Sequence, residues 1–469
     1  MQEKIARIRL FYIIISVILL LLAFPEVPRS LINSATGAAA ADVELIVPLV
    51  NRIFSPFLDF PFYFSNFIRP RMQILSWIIW LSAIWIIFAL TGLKGPRTKK
   101  TGKILRGMVV TAVSFSLFII YCILVPLPKY RLTSDKPGEV FVDLHSHTFF
   151  SHDGIVTSER SLSWHLNCGF EGWALTEHDW IGHGPVEQEE LLRAESIGAA
   201  VIPAQETRFK GVYLNLLGIE EAVDKKKFET MEGLISAVHS RGGAVVVPHY
   251  WSGEKPQLSP TELAEAGVDG FEIAGNSSVP LSQESREELI GICRREGLVM
   301  VSGSNWHGWQ NFCNVWTGFE AQGWGQMDNA SRKKEVIDAL KKREAGRFRA
   351  LEYRREVRPG GYFFEPFTGF FFYYRSLDAW QRLSWLFWAA AIFILARRIR
   401  NRRKTAIFIW SAVSLTLAAK GILILNTWQA VKTVNDILPE VSRGLFIMAA
   451  LTAFLAVTNI RKKHRDKIS

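Results

Sequence analysis

The sequence contains few cysteines, and their spacing excludes the common cysteine-based architectures. Only four occur in 469 residues, and none belongs to a CxxC pair of the kind that binds zinc. Cys122 lies within an apolar run, so Cys168, Cys293 and Cys313 allow one bridge at most. The sequence therefore predicts neither a disulfide framework nor a cysteine-ligated metal site.

The chain also lacks a large basic surface, although its formal net charge is +11. The excess of lysine and arginine lies in four short segments beside hydrophobic runs, at residues 1–9, 94–106, 397–404 and 461–467. The remainder of the chain is net acidic, so little positive charge is left to bind a phosphate backbone. We therefore expect no nucleic-acid partner.

Long hydrophobic runs, in contrast, are abundant. Hydrophobic residues make up 49% of the chain and the mean hydropathy is +0.13, values that indicate a membrane protein. We expect three spanning helices in an N-terminal membrane region (1–137) and three in a C-terminal one (351–469). The predicted spans are 10–24, 74–93, 108–127, 380–396, 406–425 and 445–460.

Two N-terminal features have alternative interpretations. The alanine cluster at 38–41 lies far beyond the first apolar run, so we favour an uncleaved helix over a signal peptide at 10–24. Residues 45–68 are apolar but interrupted by prolines and two charged residues. This pattern predicts a segment that lies at the membrane interface rather than one that spans it.

The four basic segments give a consistent membrane topology. With six spans, all four fall on the same side of the membrane. Because cytoplasmic loops carry an excess of lysine and arginine, both termini are predicted to be cytoplasmic. The region from 128 to 379 is then expected outside the cytoplasm, in a plasma or inner membrane protein.

Residues 138–350 have ordinary charge density and no spanning run. Seven short apolar segments alternate with amphipathic ones, a pattern typical of a parallel sheet with helices. The expected fold is therefore α/β, and this number of units favours a closed TIM-like barrel inserted between two groups of transmembrane helices. The predicted strands are 140–144, 173–176, 199–204, 212–217, 244–247, 270–273 and 298–302.

A dense group of metal-binding residue types follows the first predicted strand. Residues 143–154 read Asp-Leu-His-Ser-His-Thr-Phe-Phe-Ser-His-Asp-Gly. Because strand side chains alternate, His145 and His147 point to the same side, as two ligands of one divalent metal must. A solvated histidine-rich loop is the alternative interpretation of this segment alone.

Further polar residues lie at the carboxyl ends of the later strands, the edge where barrel enzymes assemble their sites. Nine of the ten histidines fall between residues 145 and 307. This clustering favours a multinuclear metal site over an isolated loop. The candidate metal ligands are His145, His147, His152, Asp153, His178, Glu206, His249, Glu272, Asn305 and His307.

Several roles within this set stay open. His152 and Asp153 compete for one ligand position. The residue that does not bind the metal is expected to support the one that does. Glu177 and Asp179 are expected to orient His178 by hydrogen bonding rather than to bind metal. The predicted catalytic residues are Glu206, His178, His183 and Arg208, the last two as candidates for binding phosphate oxygens.

Five ordered motifs resemble those of the PHP family, the polymerase-and-histidinol-phosphatase superfamily of metal-dependent phosphoesterases. The resemblance covers residues 138–320 and looks closest to the branch that includes carbaryl hydrolase, whose members are not all phosphatases. It implies a distorted seven-stranded barrel with two or three divalent ions, often zinc, manganese or iron. The motifs are Asp143-Leu144-His145-Ser146-His147 with 151–154, Thr176-Glu177-His178-Asp179, Glu206, Pro248-His249 and Gly303-Ser304-Asn305-Trp306-His307.

Two positions depart from the family pattern. The last motif usually has aspartate where this chain has Asn305, and the second usually has aspartate where this chain has Glu177. Asparagine offers an oxygen without a charge, so it binds a hard cation more weakly. One metal position is therefore in question.

The sequence as a whole predicts a membrane-anchored metal-dependent hydrolase. The leading hypothesis is a phosphoesterase that uses metal-activated water on an extracytoplasmic phosphoester, with a lipid-linked phosphate as one candidate substrate. The alternatives are a metal-dependent carboxyl-ester or carbamate hydrolase, and a catalytically impaired module that senses a metal or ligand.

Overall fold

The structure of the chain is a computed structural model. It describes residues 31–65, 70–92, 97–124, 128–179, 193–194, 196–250, 257–275, 281–309, 313–353, 362–399, 401–432 and 434–468. The first predicted span and His183 lie outside these residues.

Twelve strands lie in the described residues, ten of them in one sheet. The sheet order is β1-β12-β11-β4-β5-β6-β7-β8-β9-β10, and β2 pairs with β3 in a separate two-stranded sheet. The strands are β1 (Leu31–Asn33), β2 (Val43–Ile46), β3 (Arg131–Ser134), β4 (Glu139–Ser146), β5 (Gly172–His178), β6 (Ala200–Phe209), β7 (Val212–Leu217), β8 (Ala244–Val247), β9 (Gly270–Gly275), β10 (Val299–Gly303), β11 (Val315–Glu320) and β12 (Phe348–Tyr353).

All seven predicted strands are confirmed, as β4 to β10, but the sheet is mixed rather than parallel. The pairs β6–β7, β7–β8, β11–β4, β11–β12 and β1–β12 are antiparallel. The cause at β6–β7 is local: only Lys210 and Gly211 connect the strands, with φ of +47° and +78°. A two-residue turn with both φ positive forms a tight hairpin, which leaves no room for a crossover helix.

The sheet curls, so that its last parallel strand approaches β4. Past the end of β10, the backbone N–H of Asn305 donates to the carbonyl of His145 at 2.8 Å, and Ser146 bridges to Trp306. The ladder nevertheless runs as an open order of ten strands, and a closed seven-stranded (β/α) barrel is not confirmed. The curl brings the carboxyl ends of β4 and β10 together.

Fourteen α-helices lie in the described residues. The helices are α1 (Leu49–Ile53), α2 (Ser55–Leu58), α3 (Phe60–Ser65), α4 (Pro70–Gly92), α5 (Arg97–Leu124), α6 (Ser158–Cys168), α7 (Met231–Ser240), α8 (Pro260–Glu265), α9 (Gln283–Glu296), α10 (Asn329–Lys341), α11 (Glu365–Arg375), α12 (Ala379–Arg398), α13 (Arg402–Val431) and α14 (Ile437–Ile468).

The parallel strands are buried on both faces. All four residues of β8 are buried, and Val142 and Leu144 of β4 pack in a core cluster with residues of β5 and β6. Helix α7 covers part of the sheet with Leu234, Ile235 and Val238. Continuous burial of this kind explains why these strands are apolar at successive positions rather than at alternate ones.

Four described helices are long and apolar enough to cross a membrane: Ile104–Leu124, Ala379–Arg398, Arg403–Val431 and Ile437–Thr458. They correspond to four of the six predicted spans. The predicted span 74–93 coincides with α4, whose described apolar part, Arg71–Ile87, is shorter. The described part of the predicted interfacial segment 45–68, residues 45–65, forms the end of β2 and the short helices α1 to α3. Strands β1 and β12 extend the sheet beyond residues 138–350.

Candidate metal centre

The carboxyl end of β4 places two imidazoles side by side. His145 and His147 are fully buried, and their Nε2 atoms are 3.0 Å apart. The Nδ1–H of His145 donates to Glu272 Oε1 at 2.8 Å, because a carboxylate can only accept. This hydrogen bond leaves the Nε2 lone pair of His145 directed at the neighbouring ring.

Ser151 fixes the tautomer of His147 in the same way. Its hydroxyl donates to Glu177 Oε2 at 2.5 Å. It therefore accepts the Nδ1–H of His147 at 2.9 Å and the backbone N–H of His178 at 3.1 Å. The Nε2 of His147 is then also a lone-pair donor.

Two Nε2 lone pairs cannot face each other at 3.0 Å without a cation between them. A proton is one such cation: burial opposes a charged His145, but Glu272 and Glu206 overcome this and raise the pKa of His145 to about 10. A divalent metal is the other, since it accepts both lone pairs at once. The pair therefore fits a cation and would be unfavourable without one.

Eight of the ten candidate ligands fall into three groups. In each group one ligand atom per residue lies within 4.8 Å of the others. The first and third groups share His178, so the groups adjoin. They are His147, His178 and His307; His145, Glu206 and His249; and His152, Asp153 and His178.

Glu206, on β6, lies among four of these histidines. Its carboxylate oxygens are 2.9 Å from His178 Nδ1 and 3.0 Å from His249 Nε2. They are 3.7 Å from His145 Nε2 and 3.6 Å from His147 Nε2. Burial opposes ionisation, yet His145, His178 and His249 hold the pKa of Glu206 well below its usual range. The carboxylate is thus the negative centre of the site.

His152 and Asp153 form the solvent-facing side of the site. Asp153 Oδ1 is 3.5 Å from His178 Nε2 and 3.3 Å from His307 Nε2. The side chains of His152 and Asp153 are 57% and 44% exposed, whereas those of His145 and His147 are buried. Both candidates for the open ligand position therefore lie beside His178, at the side through which solvent enters.

Asn305 and His307 close the site from the end of β10. The Nδ1–H of His307 donates to the backbone carbonyl of Asn305 at 3.0 Å, so its Nε2 is free to face Asp153. Asn305 Oδ1 is buried without a hydrogen-bond donor among the described residues. Asn305, His249 and Asp179 have φ of +47°, +26° and +49°. Such backbone conformations are costly for residues other than glycine and concentrate at functional sites.

Glu177 and Asp179 differ from their predicted roles, whereas the metal role of Glu272 stays a prediction. Glu272 lies behind His145 and accepts its Nδ1–H, outside the three groups. Glu177 binds the N–H and hydroxyl of Thr148 and the hydroxyl of Ser151, so it holds the loop rather than the ring of His178. Asp179 accepts from Thr207 and Lys225 instead.

Arg208, predicted to bind phosphate, lies on β6 over the ring of Tyr213 at 5.4 Å. Its proposed role, like the metal role of each histidine and carboxylate, stays a prediction.

Sequence reasoning missed the residues that support the site from behind. His165 is buried, and its Nε2 lies 3.3 Å from Asp143 Oδ2. Asp143 Oδ1 in turn accepts the N–H groups of His145 and Ser304. Asp143 thereby ties the end of β4 to the end of β10. The aspartate two residues before His145 was the available signal, but its partner His165 lies 22 residues away on a helix.

The donor set fits a divalent transition metal. Imidazole nitrogens and carboxylate oxygens are ligands that zinc, manganese and iron accept, and each anchored imidazole already has its ring orientation fixed. The residues leave the number and identity of the ions open.

Comparisons with known proteins give structural neighbours only. No family model and no curated protein matches the chain. A two-domain protein from Bacteroides vulgatus, containing a predicted PHP-like metal-dependent phosphoesterase, matches with 20% identity and a TM-score of 0.35 over 45% of this chain. The chain covers 64% of that protein's length.

Two smaller solved structures also match. A metal-dependent phosphoesterase from Bifidobacterium adolescentis has 18% identity and a TM-score of 0.32, over 42% of this chain and 96% of its own. An amidohydrolase from Chromobacterium violaceum, with bound sulfate and no metal, has 16% identity and a TM-score of 0.31, with the same two coverages. The neighbours are thus PHP-like metal-dependent phosphoesterases and amidohydrolases, at low identity.

Proposed function

We propose that this chain is a metal-dependent hydrolase that cleaves phosphoesters. One observation carries the proposal: imidazoles and carboxylates form three adjoining groups, two of which share His178. Within each group the ligand atoms lie within 4.8 Å of one another. Divalent ions bound there would supply a water of lowered pKa and positive charge to offset that of a phosphoryl group.

The side chains around the site have separable tasks in this proposal. Glu272 and Ser151 fix the rings of His145 and His147, so that both direct Nε2 inward without reorganisation. Glu206 balances the positive charge of the centre. The exposed side, at His152 and Asp153, is where a substrate would enter.

The number of ligand groups favours phosphoesters over carboxyl esters as the substrate, because three groups could hold more than one ion. A carbonyl substrate needs one Lewis acid, whereas in-line phosphoryl displacement is suited to two cations that contact the attacking and leaving oxygens. Arg208 and His183 are proposed to bind the phosphate oxygens. Hydrolysis of carboxyl esters or carbamates is the alternative activity, and the experiment must distinguish it from phosphoester hydrolysis.

The experiment uses the full chain in detergent, stripped of metal and reloaded with zinc, manganese or iron. We expect bound metal and turnover of aryl phosphate mono- or diesters that a chelator abolishes and metal restores. His147→Ala should lose both, whereas His239→Ala, whose ring pairs with Asp269 away from the site, should lose neither. Turnover of aryl carboxyl esters alone would favour the alternative hydrolase, and metal binding without turnover would favour a sensor.

We also propose that the helices anchor the site outside the cytoplasm, with both termini inside. Basic residues lie near one end of each of three long helices: Lys99 and Lys103 near the start of α5, Arg397 and Arg398 at the end of α12, and Arg403 at the start of α13. The opposite end of α5 leads into β3. This arrangement accords with the excess of basic residues in cytoplasmic loops.

A reporter active only in the cytoplasm tests this topology. It should be silent when fused after residue 430 or inserted at 325, and active when fused after residue 400 in the basic segment. Activity at 325 would overturn the orientation. A substrate phosphate carried on a lipid is proposed on the same basis, and it is tested by adding a phospholipid in detergent micelles to the phosphoester panel.

A further inference from the structure

The turn between the last two long helices, α13 and α14, contacts the loop that carries the exposed ligands. We call residues 148–154 the metal loop. Asn435 is 1% exposed, and its Nδ2 lies 2.8 Å from each of the backbone carbonyl oxygens of Phe149, Ser151 and Gly154. The next residue, Asp436, donates its backbone N–H to the carbonyl of His152 at 3.0 Å. Four carbonyls of a seven-residue loop thus bind one short turn.

Asn435 is itself held rigidly on the helix side. Its Oδ1 accepts the backbone N–H groups of Ile437 and Leu438 at 3.1 and 2.9 Å, at the start of α14. Its own carbonyl accepts the indole N–H of Trp428, from α13. The side chain and backbone carbonyl of Asn435 together therefore link the first turn of α14, the last turns of α13 and the metal loop.

An apolar contact surrounds these hydrogen bonds. Phe149 and Phe150 of the metal loop pack in one buried cluster with Val431 of α13 and Leu438 of α14. Burial excludes competing water, so hydrogen bonds to Asn435 count for more than they would at the surface. The loop is consequently held by the helix pair through both apolar contacts and hydrogen bonds.

The geometry points to Asn435 as a positioning residue of the metal centre. We propose that it fixes the metal loop so that His152 and Asp153 face His178, which makes one metal position depend on the C-terminal helix pair. Ser151 and Gly154, whose carbonyls contact the Asn435 side chain, directly precede and follow these two ligands in the chain. The inference rests on the proposed function, since it concerns the same metals.

A single substitution separates this role from helix capping. In Asn435→Asp the retained oxygen still caps α14, but the donor is replaced by an oxygen that faces three carbonyls. Asn401→Asp is the matched control, because Asn401 caps α13 at its other end by accepting the N–H of Lys404. Both variants keep a capping oxygen, and only one removes a contact with the metal loop.

The experiment measures metal affinity and loop exchange on the full chain in detergent. Asn435→Asp should weaken the binding of one ion by about 10- to 100-fold, as expected when the support of a ligand is lost. Without metal, the amides of residues 149–154 should exchange hydrogen faster than in the wild type. Asn401→Asp should match the wild type in both measurements.

The outcomes distinguish the two proposals. Metal affinity and loop exchange both unchanged in Asn435→Asp would overturn the positioning role while leaving the hydrolase intact. A wild-type chain that binds no metal would overturn the proposed function. Unchanged protection of α14 amides in Asn435→Asp would exclude helix unfolding as the cause of any loss.

Discussion

Glu206→Gln is expected to abolish phosphoester hydrolysis and to remove the metal bound by His145 and His249. The glutamine is nearly isosteric, so the change removes charge rather than volume. Glu206 is buried among four histidines, and no other carboxylate belongs to the described group of His145 and His249. We expect the loss to exceed about 100-fold, the upper end for residues that only support a ligand.

Glu352→Gln is the matched control for this change. Glu352, on β12, is also a partly buried carboxylate of the sheet, but it pairs with Arg286 and Ser34 at the far edge. Metal content by elemental analysis and turnover of an aryl phosphate should be those of the wild type. If Glu206→Gln kept both, the carboxylate would have no role in binding metal.

Gly154→Ala is expected to displace the metal loop. A Cβ at this position would lie 1.9 Å from the backbone carbonyl oxygen of Thr148, and a backbone atom cannot yield as a flexible side chain can. Overpacking of this kind costs roughly 1–3 kcal/mol, occasionally more. Because Gly154 follows Asp153 and its carbonyl binds Asn435, the shift should reach the ligands. We expect loss of the ion bound beside Asp153.

Gly291→Ala provides the control for the glycine change. Gly291 lies in the exposed part of α9, and a Cβ there meets no atom within 4 Å. Alanine in a helix is favoured over glycine by roughly 0.5–1 kcal/mol, so this variant should be at least as stable as the wild type. Equal metal affinity in Gly154→Ala and Gly291→Ala would contradict the packing argument.

The features that could be predicted are those that depend on short stretches of sequence. The apolar strands and the His145–His147 pair follow from alternation within one strand, which is a local rule. The positions of His178 at the end of β5 and of His249 just after β8 follow from the same pattern, whereas β6 continues past Glu206 to Phe209. These residues converge in the structure as the sequence led us to expect.

What could not be predicted depends on pairing between distant residues. The two-residue Lys210-Gly211 turn was visible in the sequence, yet its consequence, an antiparallel β6–β7 pair, competed with an otherwise regular βα pattern. The role of Ser151 depends on which acceptor its hydroxyl meets, and Glu177 is 26 residues away. The contact of Asn435 with the metal loop spans more than 280 residues and leaves no periodic signal.

Strand β1 has a consequence for how the protein can be dissected. It precedes the long helices in the chain, yet it pairs with β12 at the edge of the sheet, from Leu31 opposite Tyr353 to Asn33 opposite Leu351. A fragment cut at residues 138–350 would lose β1 and end inside β12. It would present a row of unpaired backbone N–H and C=O groups, which is a template for intermolecular association. The sheet is therefore not formed by one contiguous segment, and its edge is covered by a strand that precedes two long helices in the chain.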